Sequence, residues 1–260
     1  MPRGICKLCL NEDDLVMTHL IPAAVFKSLR SEGQDATSVT ATRRLQISRQ
    51  FQAPLLCATC EDRLNKGGET WVLARMARQI PRARFPLFDL LNEAALCGTD
   101  EDGKIYNTNK IPKIDTTKLA YFALTMVWRT TIHDWKGIDG FKRRLDLGPY
   151  AEPVRLFLLG VGPFPKHCYT RILLWPNKES VYYCTHLPRR NIEPQYHLYS
   201  YYLPGITFCV YVGKGVPREL RETCCYSSAR KPIRTSILAA KINAIRFHNV
   251  SNYPNDQIEP

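Results

Sequence analysis

The sequence predicts an α+β protein of two domains, residues 1–84 and residues 85–260. Two C-x-x-C pairs lie in the first region, which indicates a small domain organised around cysteines. In the second region, apolar residues with a helical period run from Leu119 towards Trp135. Beyond Tyr169 the period changes to two, with the aromatic and β-branched residues that are typical of strands. No motif assigns a role to the second domain.

The four paired cysteines are the strongest chemical signal in the chain. The sequence pairs Cys6 with Cys9 and Cys57 with Cys60. Two thiolates from one tight turn fill two adjacent corners of a tetrahedral zinc ion, so two such pairs supply a complete ligand set. A site closed by four thiolates has no open position. The predicted zinc should therefore organise the fold and take no part in a reaction.

The segment between the cysteine pairs is long enough to carry structure of its own. Residues 5–19 are predicted to form a knuckle and a hairpin that delivers His19. Pro22 suits the first turn of a helix, because its missing N–H has no helical partner there, and this helix continues to Leu29. A polar loop follows, and alternating apolar residues over 43–51 predict a strand that leads to the second pair.

A further helix is predicted directly after Cys60. Gly67-Gly68 predicts a break or kink, since each glycine costs about 1 kcal/mol in a helix interior. The helix then resumes from Glu69 to Gln79. Four arginines on its flank either follow phosphates or lie on a solvated face: Arg75, Arg78, Arg82 and Arg84.

The second region is predicted to be helical first and β-rich later. Its longest helix starts at a cap on Asp115 or Thr116 and reaches Trp135. The other predicted elements before the strands are helices over 88–96, 138–145 and 153–159 and a loop over 98–113. Strands over 171–175, 181–184, 196–202 and 206–212 indicate an antiparallel meander, and a last helix covers 235–247.

Charge and composition bound the partners and the compartment. The formal charge of +12 and the pI of about 9.3 favour an anionic partner, with nucleic acid ahead of a membrane surface. The longest apolar stretch, 156–162, is far too short to span a membrane. No apolar segment of a signal peptide precedes Cys6, and the six cysteines outside the two pairs suit reduced, buried thiols. The sequence therefore predicts a cytoplasmic protein.

The N-terminal pattern resembles the HNH branch of the treble-clef zinc proteins. In that branch, a C-x-x-C knuckle is followed by a strand ending in H-I-x-P and by a second knuckle at the start of a helix. This chain has His19-Leu20-Ile21-Pro22 and Leu56-Cys57-Ala58-Thr59-Cys60-Glu61 in those places. It is similar to uncharacterised bacterial proteins with C-x-x-C, S-H-I-I-P, L-C-x-x-C-E and a later W-R, here Trp128-Arg129. The resemblance is specific over residues 5–72 and thin from there to 135.

The resemblance implies an HNH-type, metal-dependent endonuclease that acts on DNA or RNA, with a role in phage defence. His19 would be the general base that activates water, and a Mg²⁺ or Mn²⁺ ion would stabilise the phosphate and the leaving oxygen. The alternative is that His19 packs or hydrogen-bonds inside the domain. The competing class of function is a non-catalytic zinc module that binds nucleic acid or a protein partner through a degenerate HNH site.

The metal site of the HNH pattern is where this chain departs from it. Thr18 stands where an acid commonly precedes the histidine, and the helix after the second knuckle lacks a further histidine. Glu61, Asn65 and Glu69 are spaced so that an unbroken helix places them on one side. Asn65 with either glutamate is the predicted oxygen-ligand site. The alternative is that both glutamates are solvated or paired with an arginine. For Trp128-Arg129 the prediction is a core tryptophan and an arginine that binds a carboxylate or a helix end.

Overall fold

The computed structural model has an α+β fold with antiparallel sheets. It describes residues 1–29, 36–39, 44–47, 51–77, 85–91, 95–100, 103–109, 111–136, 142–175, 185–226 and 232–236. Within these residues no helix combines the length and the apolar composition that crossing a membrane requires. Eight cysteines have side chains that the structure describes, and none of these eight forms a disulfide.

The cysteine region is a three-stranded antiparallel sheet followed by a helix. Its elements are β1 Arg3–Ile5, β2 Glu12–His19, α1 Ala23–Leu29, β3 Ala36–Val39, β4 Arg44–Ile47, β5 Gln52–Cys57 and α2 Ala58–Leu64. The sheet has the order β1-β2-β5, and β3 and β4 form a separate hairpin. The pairing of β2 with β5 sets His19 opposite Gln52. This arrangement confirms the predicted knuckle and the hairpin that delivers His19. The predicted strand over 43–51 contains β4, but the strand that leads to Cys57 is β5, which begins at Gln52.

The helix after the second cysteine pair is continuous through the glycine pair. A π-helical turn over Asn65–Glu69 joins α2 to α3, Thr70–Leu73. The predicted break is therefore a widened turn. The helix also ends at Leu73, because residues 74–76 form a turn before the chain reaches the sheet of the second region. The predicted extension to Gln79 is wrong over residues 74–77, and its last two residues lie outside the described part of the chain.

The second region is built around one helix and a seven-stranded sheet. Its elements are α4 Pro86–Leu91, β6 Ala95–Asp100, β7 Gly103–Asn107, α5 Thr116–Thr131, β8 Trp135–Lys136, β9 Lys142–Arg143, α6 Ala151–Leu159, β10 Cys168–Leu174, β11 His186–Ile192, β12 His197–Leu203, β13 Ile206–Val212, α7 Arg218–Glu222 and β14 Pro232–Ser236. The strand order is β11-β12-β13-β10-β14-β7-β6. Strands β11, β12 and β13 form an antiparallel meander, and β12 and β13 match two of the predicted strands. Strand β10 matches the predicted strand over 171–175 but pairs with β13 and not with β11, and β11 has no counterpart among the predicted strands. Strand β14 pairs in parallel with β10, so the whole sheet is mixed.

Several predicted elements of the second region differ in the structure. The predicted loop over 98–113 contains most of the β6–β7 hairpin, and the predicted helix over 88–96 gives way to β6. Strand β7 is held by β14, which is distant in sequence, so local residue preferences do not reveal it. The predicted helix over 138–145 contains β9, and 138–141 lie outside the described residues. The predicted strand over 181–184 and most of the helix over 235–247 also lie outside them, while Thr235 and Ser236 belong to β14.

Helix α5 is the central element of the core. Asp115 caps it, because its carboxylate accepts a hydrogen bond of 3.0 Å from the Lys118 N–H. Twelve of its 16 residues are buried, so the helix is enclosed on most of its faces. It packs on the sheet, where Phe122 meets Phe208 with ring centroids 5.4 Å apart, and on the π-helical turn of the cysteine region. One hydrophobic core therefore runs through both predicted domains, and the predicted boundary at residue 84 lies outside the described residues.

Gly67 and Gly68 allow α5 to approach the π-helical turn. A Cβ on Gly68 would lie 2.6 Å from the Lys118 carbonyl oxygen and 3.0 Å from the Phe122 Cβ. A Cβ on Gly67 would lie 2.3 Å from the Tyr121 ring. The glycine pair that costs helix propensity therefore permits the closest contact between the two regions.

We expect Gly68→Ala to lower the free energy of unfolding by about 1–3 kcal/mol, because the methyl group must displace backbone of α5. This clash should outweigh the roughly 1 kcal/mol that alanine gains in a helix. Urea denaturation measures the change. Gly98→Ala is the control, since nothing lies within 4 Å of a Cβ there. Equal stability of the two variants would contradict the close packing of α5 on this turn.

Candidate functional site

The four paired cysteines converge on one point between the sheet and α2. Their sulfur atoms all lie within 4.8 Å of one another, and the Cys9 and Cys57 sulfurs are 4.0 Å apart. A tetrahedral zinc with Zn–S bonds of about 2.3 Å needs sulfurs roughly 3.8 Å apart. The quartet therefore fits a zinc ion, and three of its members are buried. The predicted ligand set is brought together as the spacing indicates.

The surroundings of the sulfurs show how a cation would be held. Burial by itself raises the pKa of the Cys6 thiol. Backbone hydrogen bonds from Cys9, Cys57 and Leu8 outweigh burial and lower this pKa to about 7. The Cys57 N–H donates to the Cys6 sulfur at 3.3 Å. Burial raises the pKa of Cys60 well above its usual range. Binding of a metal must release such protons, so zinc affinity should fall as the pH is lowered.

Helix α6 supports the first knuckle from the second region. The Arg155 guanidinium donates to the Leu8 carbonyl between the two knuckle cysteines, and it also binds Glu152 at 2.6 Å. No motif in the sequence marks Arg155, because its partner is a backbone carbonyl distant along the chain. The knuckle is thus fixed by a side chain of the second region as well as by its own sheet.

His19 lies at the end of β2, beside the first turn of α2. Its side chain is half-buried, whereas Thr18 is buried and its hydroxyl donates to the Glu61 carboxylate at 3.1 Å. Burial raises the pKa of Glu61, against the opposing effects of Arg129, the Thr18 hydrogen bond and His19. The residue before His19 therefore contacts a mostly buried carboxylate, while the imidazole itself stays partly accessible.

Arg129 joins Glu61 and Glu69 into one buried ion-pair network. Its guanidinium nitrogens lie 3.0 Å from Glu61 Oε1 and 2.8 Å from Glu69 Oε2. The arginine side chain is 1% exposed, and the glutamates are 18% and 14% exposed. The glutamates are thus paired with an arginine, which was the alternative to a metal site. Trp128 lies in the core and Arg129 binds carboxylates, as the sequence predicts.

The π-helical turn explains why one guanidinium reaches both glutamates. Over eight residues a regular α-helix rotates roughly 80° past two full turns, so Glu61 and Glu69 would diverge. A π turn bonds residue i to i+5 and rotates less per residue, which brings Glu69 back below Glu61. The glycine pair lies within this turn and permits α5 to deliver Arg129. Turns of this kind are frequent at functional sites.

The predicted oxygen-ligand site is not open in this arrangement. Arg129 binds Glu61 Oε1 and Glu69 Oε2, and the Thr18 hydroxyl binds Glu61 Oε2. Asn65 is half-buried on the helix between the two glutamates. A divalent cation at the glutamates would have to displace a buried guanidinium, so these residues do not fit Mg²⁺ or Mn²⁺ as they stand. Binding of a catalytic cation by Glu61, Asn65 and Glu69 remains a prediction without support from these contacts.

The arginine flank predicted to follow phosphates is described only at Arg75. This guanidinium lies 4.2 Å from the Trp71 ring centroid and donates to the Trp71 carbonyl at 3.1 Å. It is therefore engaged with its own helix. The other three arginines of the flank lie outside the described residues.

Comparisons of the chain with protein-family models, with curated proteins and with solved structures found no match. The resemblance to HNH proteins thus rests on the residue pattern alone.

Proposed function

We propose that this protein is a zinc-organised endonuclease of the HNH type, which hydrolyses phosphodiester bonds in DNA or RNA. The observation that supports the proposal is the position of His19. It ends a hairpin strand and stays partly accessible, and the residue before it, Thr18, binds Glu61 at the start of the helix that follows the second cysteine pair. A knuckle, a hairpin and a helix in this order are what the treble-clef resemblance predicts.

In the proposed reaction, His19 removes a proton from a water molecule while the water oxygen attacks the phosphorus atom. The bond from phosphorus to the opposite sugar oxygen breaks, the leaving oxygen takes a proton from solvent, and the imidazolium later returns its proton to solvent. A neutral imidazole at physiological pH is suited to this role. The Glu61 carboxylate next to it stabilises the imidazolium that forms. Thr18 and Arg129 hold that carboxylate in place, so its position does not depend on the substrate.

The zinc ion has a structural role in this proposal. Its four sulfur ligands come from the first knuckle and from the junction of β5 with α2. Closing them around one ion fixes α2 against the hairpin, and this sets the position of Glu61 relative to His19. The chemistry that the ion supplies is cross-linking of the fold, since four thiolates leave no position for water.

The anionic substrate is supported by the charge of the chain. The formal charge of +12 favours binding of a polyanion and gives binding that weakens with salt.

A non-catalytic zinc module is the second candidate, and one observation favours it. Arg129 already neutralises Glu61 and Glu69, so these carboxylates present no open site for a cation. In that case His19 would pack against its neighbours inside the domain, and the module would bind nucleic acid or a protein without cleaving a phosphodiester bond.

His19→Ala separates the two candidates. We expect it to reduce the cleavage rate about 10²–10⁴-fold, because a general base contributes that much. The melting temperature and the zinc content should stay near wild type, since the side chain is only half-buried. The assay offers plasmid, single-stranded DNA and RNA, with Mg²⁺, with Mn²⁺ and without divalent metal. Asn65→Ala tests the metal hypothesis, because excess Mg²⁺ should restore its activity only if Asn65 holds the ion.

His133→Ala is the matched control, because His133 is also half-buried and lies outside the site. It should cleave at the wild-type rate. Absence of cleavage by the wild-type protein on every substrate, together with a loss of stability in His19→Ala, would contradict the nuclease and leave the zinc module.

A further inference from the structure

A cleft of about 460 Å³ opens beside α2, on the face that carries Thr59, Asp62, Arg63 and Lys66. It lies between α2, the π-helical turn, α5 and the end of α6. Its lining includes Arg63 and Lys66 from the helix side, and Tyr121 and Leu158 from the opposite wall. The volume falls in the range of sites that hold one small organic ligand, roughly 300–1,000 Å³.

The cleft is positively charged at its mouth. Arg63 is exposed, and in the part of the chain that the structure describes no carboxylate forms an ion pair with it. The Lys66 ammonium lies 2.7 Å from the Asp62 carboxylate, which also lines the cleft. Two cations and one anion leave a formal charge of +1. An anionic group entering the cleft would meet the Arg63 guanidinium without displacing a partner.

The opposite wall of the cleft is held rigidly. The Tyr121 hydroxyl donates to the Leu158 carbonyl at 2.6 Å, and the Tyr121 ring packs against Phe157 with centroids 5.5 Å apart. Gly160 follows α6 with φ of 79°, and a Cβ there would lie 2.9 Å from an Arg63 nitrogen. The absence of a side chain at this position therefore leaves room for the guanidinium at the mouth of the cleft.

We propose that this cleft binds one nucleotide of a nucleic-acid strand. The phosphate binds Arg63, with Lys66 as the second cation, and the sugar and base lie against the exposed part of Tyr121. Guanidinium groups bind phosphate strongly, and aromatic walls bind bases with little sequence preference. The identity of the ligand rests on the proposed function.

Binding is measured by fluorescence anisotropy with a short labelled single-stranded DNA. All proteins carry His19→Ala, so that cleavage does not interfere. Adding Arg63→Gln should weaken binding roughly tenfold. It should also reduce the slope of log K against log salt by about 0.7, because one phosphate contact is lost. Arg218→Gln is the control, since this exposed arginine lies on α7 and binds Glu222. It should bind as the parent does.

Binding of a nucleotide in the cleft would be contradicted if Arg63→Gln left the affinity and the salt slope unchanged. It would also be contradicted if Arg218→Gln lost as much affinity as Arg63→Gln. Competition by inorganic phosphate as strong as competition by a mononucleotide would also contradict it, since the Tyr121 wall would then contribute nothing. The binding measurement can be interpreted independently of the cleavage assay. Loss of binding in Arg63→Gln supports the cleft even if wild-type protein cuts nothing, whereas cleavage without an effect of Arg63→Gln on binding keeps the nuclease and removes the cleft.

Discussion

Cys57→Ser is expected to leave the cysteine region unfolded and rapidly digested by protease. Structural zinc contributes on the order of 10–16 kcal/mol in small zinc-binding peptides, which exceeds the whole stability of an ordinary domain. Cys57 also links β5 to α2, so its loss releases the helix that carries Glu61 and Glu69. Limited proteolysis and elemental analysis of the purified variant measure the effect.

Cys209→Ala is the matched control, because Cys209 is a buried thiol outside the quartet. It should keep one zinc per chain and a protease-resistant N-terminal region. Wild-type stability and full zinc content in Cys57→Ser would contradict the four-cysteine site.

Arg129→Met is expected to lower the free energy of unfolding by about 3–5 kcal/mol. Removing the guanidinium leaves two nearly buried carboxylates facing each other without a cation, and this penalty is larger than the lost attraction. Burial already raises the pKa of Glu61 in the presence of the arginine. Without it the Glu61 carboxyl should bind a proton more readily when the protein is folded than when it is unfolded. The destabilisation should therefore shrink as the pH falls towards 4 and grow as it rises.

Arg144→Met controls for the loss of an arginine, because its contact with Asp134 at 3.7 Å is exposed. Exposed pairs contribute about 0–1 kcal/mol. The triple variant Arg129→Met, Glu61→Gln, Glu69→Gln should recover part of the lost stability, since no unpaired charge remains. Urea denaturation at two pH values tests all three proteins. An Arg129→Met protein as stable as Arg144→Met would contradict the buried network.

The sequence predicts those parts of the site in which the chemistry requires particular residue types at a fixed spacing along the chain. Tetrahedral zinc restricts its ligands so strongly that two C-x-x-C pairs predict the quartet. The short apolar run Leu15-Val16-Met17 likewise predicts a strand that ends at His19.

The remaining features depend on contacts between distant segments. The sequence spacing predicts only approximately that Glu61 and Glu69 share one face of the helix. The π-helical turn between them is what aligns the two side chains. The turn itself depends on packing against α5. The pairing of Arg129 with both glutamates was one of two open interpretations, and only the approach of α5 through Gly68 decides between them. The β6–β7 hairpin was missed for the same reason, since β14 completes it from far along the chain.

The central claim is that four sulfurs close the zinc site and leave His19 free to act as a base. X-ray absorption spectroscopy of the purified protein at the zinc edge tests this directly. The account predicts four sulfur neighbours at about 2.3 Å and no nitrogen neighbour. His19→Ala should give the same spectrum. A site with a nitrogen ligand at about 2.0–2.1 Å that is lost in His19→Ala would make His19 a zinc ligand and contradict the claim.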